Sequence, residues 1–475
     1  EVTVDTTKKT LVVHDGSTQG GTPLMKQSGH TGDVVFNSVI VGKGPNSVTG
    51  NTVVGESALD ASVSGAHNTA VGNTALTDNT SGQGNTGLGS SSLANNTTGN
   101  NNTGVGYGAM AANTTGATNT AVGFVALDVN INGANNVAVG ANALGGNTSA
   151  SNNTAVGTGS LQSNTTGTIN VAVGYAALNN NTTANSNVAV GNEALETNTT
   201  GASNTALGDE AMEFNTTGSS NVAVGNDALY SNTTASYNTA VGVRALNANT
   251  SGENNTAVGY NALDAATTAD RNTAFGVNAL GSVTTGSNNV AVGVNVLNSN
   301  TASSNTGVGD AALYTNTSGQ NNVAMGRNAL FLNTTGEQNT AIGTYALDAN
   351  TTANENTAVG YQALTENTTG LENTAIGRQA MQFNTTGNYN TSLGVNALRD
   401  NTTAANNTAV GHAALRENET GTNNTAVGTG CMDANTTGNS NAAFGKNSLG
   451  ANTTGGDNAA FGYHSMLDNT TGVFS

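Results

Sequence analysis

Five histidines, one cysteine and 29 carboxylates are the side chains from which catalysis or metal binding would have to be built. The histidines are His14, His30, His67, His412 and His464, and none recurs with a Ser or Cys nucleophile and a carboxylate. A nucleophile needs a base within hydrogen-bond reach and a third group to orient that base, so the sequence supports no triad and no catalytic residue. His67 and His464 stand at variable positions and read as solvent-facing. His, Cys and carboxylates do not cluster at ligand spacing, and the calcium nonapeptide Gly-Gly-x-Gly-x-Asp is missing, so no metal site and no cofactor are expected. Calcium held by scattered carboxylates between chains stays open as an alternative. Paired carboxylates of the glycosidase kind do not recur at a fixed spacing either, and the chain reads as a non-enzyme.

Cys431 excludes an intrachain disulfide because it is the only cysteine. It stands where related segments carry Ala, so a small buried residue is the simpler reading and a reactive thiol the alternative. Asn-x-Thr triplets match glycosylation acceptors formally, but they recur as turns. Large aromatics are the remaining candidates. Most of them read as solvated decoration; as the alternative, exposed rings stack on sugar faces, which makes Phe214 with Tyr230, and Phe331 with Phe383, the candidate contacts for a glycan or protein.

All of these residues hang on a 17-residue beat. A glycine closes a short Asn-Thr/Val-Ala-Val-Gly phrase at Gly55, Gly72, Gly89 and onward to Gly293; one interval is a residue short, to Gly309, and the beat then runs to Gly462, 25 copies in all. A period this short marks a solenoid, in which one repeat is one coil and cannot bury its apolar face alone. The consensus is Asn-Thr-Ala-Val-Gly-x-x-Ala-Leu-x-x-Asn-Thr-Thr-Gly-x-x. Four residues before the glycine, Asn is present in every copy, and four after it stands Leu or Met. Thr/Val-Ala-Val alternates with period two and predicts a short strand, while Asn-Thr-Thr-Gly is turn chemistry. Each coil is therefore expected to hold two short strands joined by two tight turns, with the Asn columns stacked into ladders. The fold class expected is all-β, a parallel β-solenoid or β-roll of about 25 coils.

Two large apolar side chains per coil make a thin core, and the small column before them (Ala70, Gly87, Gly104, Ser392) would admit another strand or chain. Association as a homotrimeric fibre is the simplest expectation. At about 4.8 Å per coil, 25 coils would make a rod of roughly 120 Å. Charged and aromatic residues gather in the two positions after each Gly and the two after each Leu or Met, which is where a solvent-facing surface would vary.

The net charge is −18, and no Lys or Arg lies between Lys43 and Arg244. Such a surface cannot neutralise phosphates, which argues against nucleic acid and anionic membrane as partners. No run approaches the apolar length of a membrane-spanning helix. Only Pro23 and Pro45 occur, both ahead of the repeats, and that fits continuous backbone pairing afterwards.

The phrases Asn-Val-Ala-Val-Gly (136–140, 187–191, 221–225) and Asn-Ser-Val-Ile-Val-Gly (37–42) resemble the heads of YadA-type trimeric adhesins. That resemblance implies a left-handed parallel β-roll packed as three chains. The full 17-residue phrase is more similar to repeats in phage tail fibre proteins, over roughly residues 37–475. It implies a virion structural protein, extracellular, taking part in host attachment with other tail proteins. Fibres of this type often continue into an intramolecular chaperone of the endosialidase type that cuts itself off after a Ser, which would make Ser475 a processed end; the alternative is that the sequence breaks off there. Residues 1–35 are expected as a hairpin and linker, with Val2–Val4 and Leu11–Val13 as its arms; 36–54 as an incomplete leading coil; and 55–475 as the repeat shaft. A chain opening on Glu1 is expected to begin after processing or within a longer protein.

A bacterial surface adhesin of the trimeric autotransporter kind is the second reading. Ice binding through Thr columns is the third, weakened by Val137, Val171 and Val188 in those columns.

Overall fold

One three-residue strand per coil carries the fold. The computed structural model describes residues 2–5, 10–13, 22–27, 33–36, 38–62 and 64–474. The chain divides into two compact units, Glu1–Ser236 and Tyr237–Ser475. The first unit opens with an antiparallel meander: β1 (Val2–Asp5), β2 (Thr10–Val13), β3 (Thr22–Gln27), β4 (Val34–Phe36), β5 (Val39–Gly42) and β6 (Thr52–Gly55) pair in sequence. The Val39–Gly42 stretch, expected within an incomplete leading coil, runs antiparallel to β6 rather than parallel to it. The meander therefore covers one edge of β6, where backbone groups would otherwise stand open to another strand. Buried Asp33 ties the junction, its carboxylate accepting the backbone N–H of Lys43 at 2.6 Å and of Gly44 at 2.9 Å.

From β6 onward the pairing is parallel. The first unit continues through β7 (Thr69–Val71) to β16 (Val222–Val224), and the second holds β17 (Thr239–Val241) to β30 (Ala459–Phe461). Eleven and fourteen strands make about 24 turns of about 17 residues. Register is the repeat itself: Thr69 lies on Thr86, Ala70 on Gly87, and Val71 on Leu88. No α-helix occurs among the described residues.

The expected second strand is absent. Around Leu76 the backbone turns repeatedly, with Thr74 at φ 55° and Leu76 at φ 52°, and the turns close through Ala75 N to Gly72 O and Asn79 N to Leu76 O. The segment still stacks, since Leu76 N donates to Ser92 O in the next coil at 3.0 Å. Two left-handed residues separated by a single residue leave no extended run. Left-handed backbone costs an ordinary residue about 1–2 kcal/mol. Full burial of Leu returns about 1.5–3 kcal/mol, so the apolar side chain wins at this position. The closing glycine is needed for a harder reason: at Gly72, φ 136°, an added Cβ would lie 2.5 Å from Gly89 O.

The core differs from expectation in a second way. Leu76 and its equivalents from Leu59 to Leu449 are fully buried, as are Ala70 and Ala75, but the residue before the glycine faces out, with Leu88 46% and Phe275 55% exposed. Most coils thus bury one large apolar side chain, not two; Val53, Val283 and Val296 are buried additions in three of them. The small column, expected to admit another chain, lies inside. A Cβ at Gly87 would already stand 3.3 Å from Leu76 Cγ, so smallness there fits the strand over its own chain's Leu.

Polar ladders complete the interior, as the Asn columns lead one to expect. Asn119 Oδ1 accepts Asn136 N at 2.9 Å, and its Nδ2 donates to Gly133 O at 2.8 Å. The Asn seven after the glycine forms another ladder, with Asn130 Nδ2 donating to Asn113 Oδ1 at 2.8 Å and to Gly133 O at 3.1 Å. A third ladder, half-buried at the surface, comes from Thr: Thr97 Oγ1 donates to Thr114 O, and Thr385 Oγ1 to Thr402 O, each at 3.0 Å. Buried amides on this scale are tolerable only because neighbouring coils supply their partners.

Candidate functional site

The inward columns are taken up by packed Leu and Ala and by the Asn ladders, so any recognition falls to the outward columns. Phe214 and Tyr230 lie on adjacent coils and meet edge to face, ring centroids 4.9 Å apart. Burial first, and then the negative charge of Glu213, raise the Tyr230 phenol above its usual range. Phe331 does not join Phe383. Its ring stacks on Tyr314 at 5.4 Å, whereas Phe383 lies under the Arg399 guanidinium, 6.0 Å from its ring centre. Arg399 in turn holds Asp400 with two bonds of 2.7 and 2.9 Å. The four aromatics therefore form three separate places on the surface. Ser475, His14 and His30 lie outside the described residues.

His67, His412 and His464 are all exposed. Cys431 is fully buried, its thiol donating to Ala443 O at 3.2 Å, and burial pushes its pKa up to about 11. A thiol held protonated and out of solvent is a poor nucleophile.

Two features were missed at the level of sequence, and both were encoded in the 17-residue spacing. Aromatics one repeat apart stack along a column, as Tyr107 with Phe124 at 5.6 Å and Phe444 with Phe461 at 5.1 Å. Carboxylates gather in the same way: oxygens of Glu193, Glu196 and Glu213 lie within 4.8 Å of one another. Burial first, then neighbouring carboxylates, raise the pKa of Glu196, Glu210 and Glu213. No basic residue stands between positions 43 and 244 to offset them.

An apolar column also faces outward. In both units the residue before the glycine forms a file along the strand face, with Leu88 and Leu207 exposed in the first, and Phe275, Met325 and Leu393 in the second. No family model matches the chain, and no curated protein matches it. No helix among the described residues is long and apolar enough to cross a membrane.

Proposed function

We propose that the chain is the shaft of an extracellular fibre, assembled from three copies and taking part in host attachment as phage tail fibres do. The carrying observation is the apolar file on the outer strand face. It repeats with every coil, and a soluble monomer rarely leaves a long contiguous apolar surface open to water. A second copy repeats with the same spacing and so is the one surface that can cover the file coil by coil. The resemblance of the 17-residue phrase to tail fibre repeats supplies the biological setting.

Surface contacts with a host glycan or protein would fall on the outward columns, with Phe214 and Tyr230 the best candidate pair because Phe214 is 40% exposed. Negative-stain electron microscopy of the full chain tests the reading: slender particles are expected, and compact globules would overturn it. The neighbouring genes separate phage fibre from bacterial adhesin, with virion structural genes expected beside this one.

A further inference from the structure

Nearly identical coils create a problem for any lateral assembly. Two copies packed along their strand faces lose little contact if one slips by a coil, about 4.8 Å. Repetitive partners need at least one feature that occurs once and penalises the slipped state. The second unit carries such a feature.

At the position just after the closing glycine most coils hold small, polar or charged residues, and the first unit's nearest apolar run, Tyr107 and Phe124, spans two coils. Four successive coils of the second unit instead carry Val243, Tyr260, Val277 and Val294 there. Their exposures are 41, 51, 41 and 45%. They stand one above another, since Asn261 N bonds to Val243 O, Asn278 N to Tyr260 O and Asn295 N to Val277 O. Phe275 and Val292, 55% and 38% exposed, precede the glycines of two of these coils and widen the apolar file to a second column.

Size decides the role. Counting about 150–250 Å² for each large side chain at these exposures, the six residues present roughly 500 Å². A stable interface takes about 800 Å² from each partner, so this patch alone does not hold copies together. Added to a file that runs the length of the unit, it does something else: it is the longest apolar run in this column, and a shift by a single coil sets its end residues Val243 and Val294 against Asn226 and Asp310 instead of apolar side chains.

The same stretch departs from the repeat inside. The Asn ladder seven after the glycine is interrupted at Ala266 and Val283, and the coil from Gly293 to Gly309 is one residue short. Within that coil Val296 replaces the usual Ala and occupies the space left by Gly307, where a Cβ would lie 2.5 Å from Val296 Cγ1. Surface and interior are thus both singular over the same coils.

We infer that the Val243–Tyr260–Val277–Val294 patch, with Phe275 and Val292, is a register key at which one copy of this chain docks against another in a single axial alignment. The inference rests on the self-association proposed above. Its test uses the full chain with Thr429→Cys, an exposed position outside the patch, carrying a spin label, while buried Cys431 stays unlabelled. Pulsed electron–electron resonance then reads the distance between equivalent labels, and light scattering reads the mass. One narrow distance is expected with the native patch. With V243S, Y260S, V277S and V294S combined, the mass is expected to hold while longer distances appear in steps set by the coil rise. Y260S alone is expected to give a smaller fraction of them. A single unchanged distance in the fourfold variant would overturn the proposal, as would several distances in the native chain. A fourfold variant that becomes monomeric beside an oligomeric native chain would also overturn it, because the patch would then be glue. A monomeric native chain would defeat the self-association reading itself.

Discussion

Coils of the two units are built on the same inward columns and manage charge in opposite ways. Between positions 44 and 236 there are ten carboxylates and no Lys or Arg, and six of the ten fall between Glu193 and Asp227. From 237 to 475 fifteen carboxylates are met by seven basic residues, some paired directly, as Arg399 with Asp400 and Arg416 with Glu417. The interior defects divide too, since the Asn ladder runs unbroken from Asn79 to Asn232 but loses Ala266 and Val283 in the second unit. The contrast teaches that the solenoid is fixed by a few inward columns. Outward charge, and even one of the two Asn ladders, can vary without changing the coil.

The sharpest way to break that comparison is to cut each ladder in the first unit. Asn119→Ala would leave the buried backbone N–H of Asn136 without its partner and the carbonyl of Gly133 with Asn130 alone, and is expected to cost about 2–4 kcal/mol. Asn130→Ala removes the ladder that nature itself interrupts in the second unit, and is expected to cost about 1–2 kcal/mol. Urea unfolding midpoints of the two variants check the order; equal losses would show that the two Asn columns are equivalent.

Next in size is one substitution made in both units. Gly307→Ala drives a methyl into Val296 and is expected to destabilise by about 1–3 kcal/mol, partly recovered when Val296→Ala is added. Gly87→Ala places its Cβ 3.3 Å from Leu76 Cγ, at a position where most coils already carry Ala, and is expected to stabilise by about 0.4–1 kcal/mol. Thermal unfolding of the two variants should move in opposite directions.

A smaller difference is expected with pH. Glu196, Glu210 and Glu213 have folded pKa values raised above the ordinary 4.5. The folded state therefore binds more protons than the unfolded one in the window above 4.5, and stability falls as pH rises through it. Lowering the pH from 7 toward 4.5 should strengthen coils 193–227. Burial also raises Asp264, Asp348 and Asp433 in the second unit; Arg244 and Arg416 pull the first and last back, and no neighbouring carboxylate adds to the rise of Asp348, so the gain there should be less. Hydrogen exchange of peptides from the two regions, compared at both pH values, measures the difference. Equal gains would show that basic residues matter little to this surface.

Much of the coil was legible because its columns are nearly pure. Asn119 and its equivalents predict a ladder from their chemistry alone, and Gly72 predicts a backbone no side chain tolerates. Direction was not legible. Val71 and Leu76 are equally apolar, and alternation in a three-residue strand says that Ala70 and Val71 part company without saying which goes inside. The left-handed backbone at Leu76 decides it, and nothing in a leucine announces that conformation. Of the surface, the pairing of Phe214 with Tyr230 could be read from a spacing of 16. Phe331 and Phe383 were grouped as candidate contacts, although three repeats separate them.

The central claim is that the outward file before the glycine is covered by other copies of the chain. Multi-angle light scattering of the full chain at several concentrations tests it most directly. A mass three times the 46.8 kDa of one chain is predicted. A mass of one chain at every concentration would contradict it.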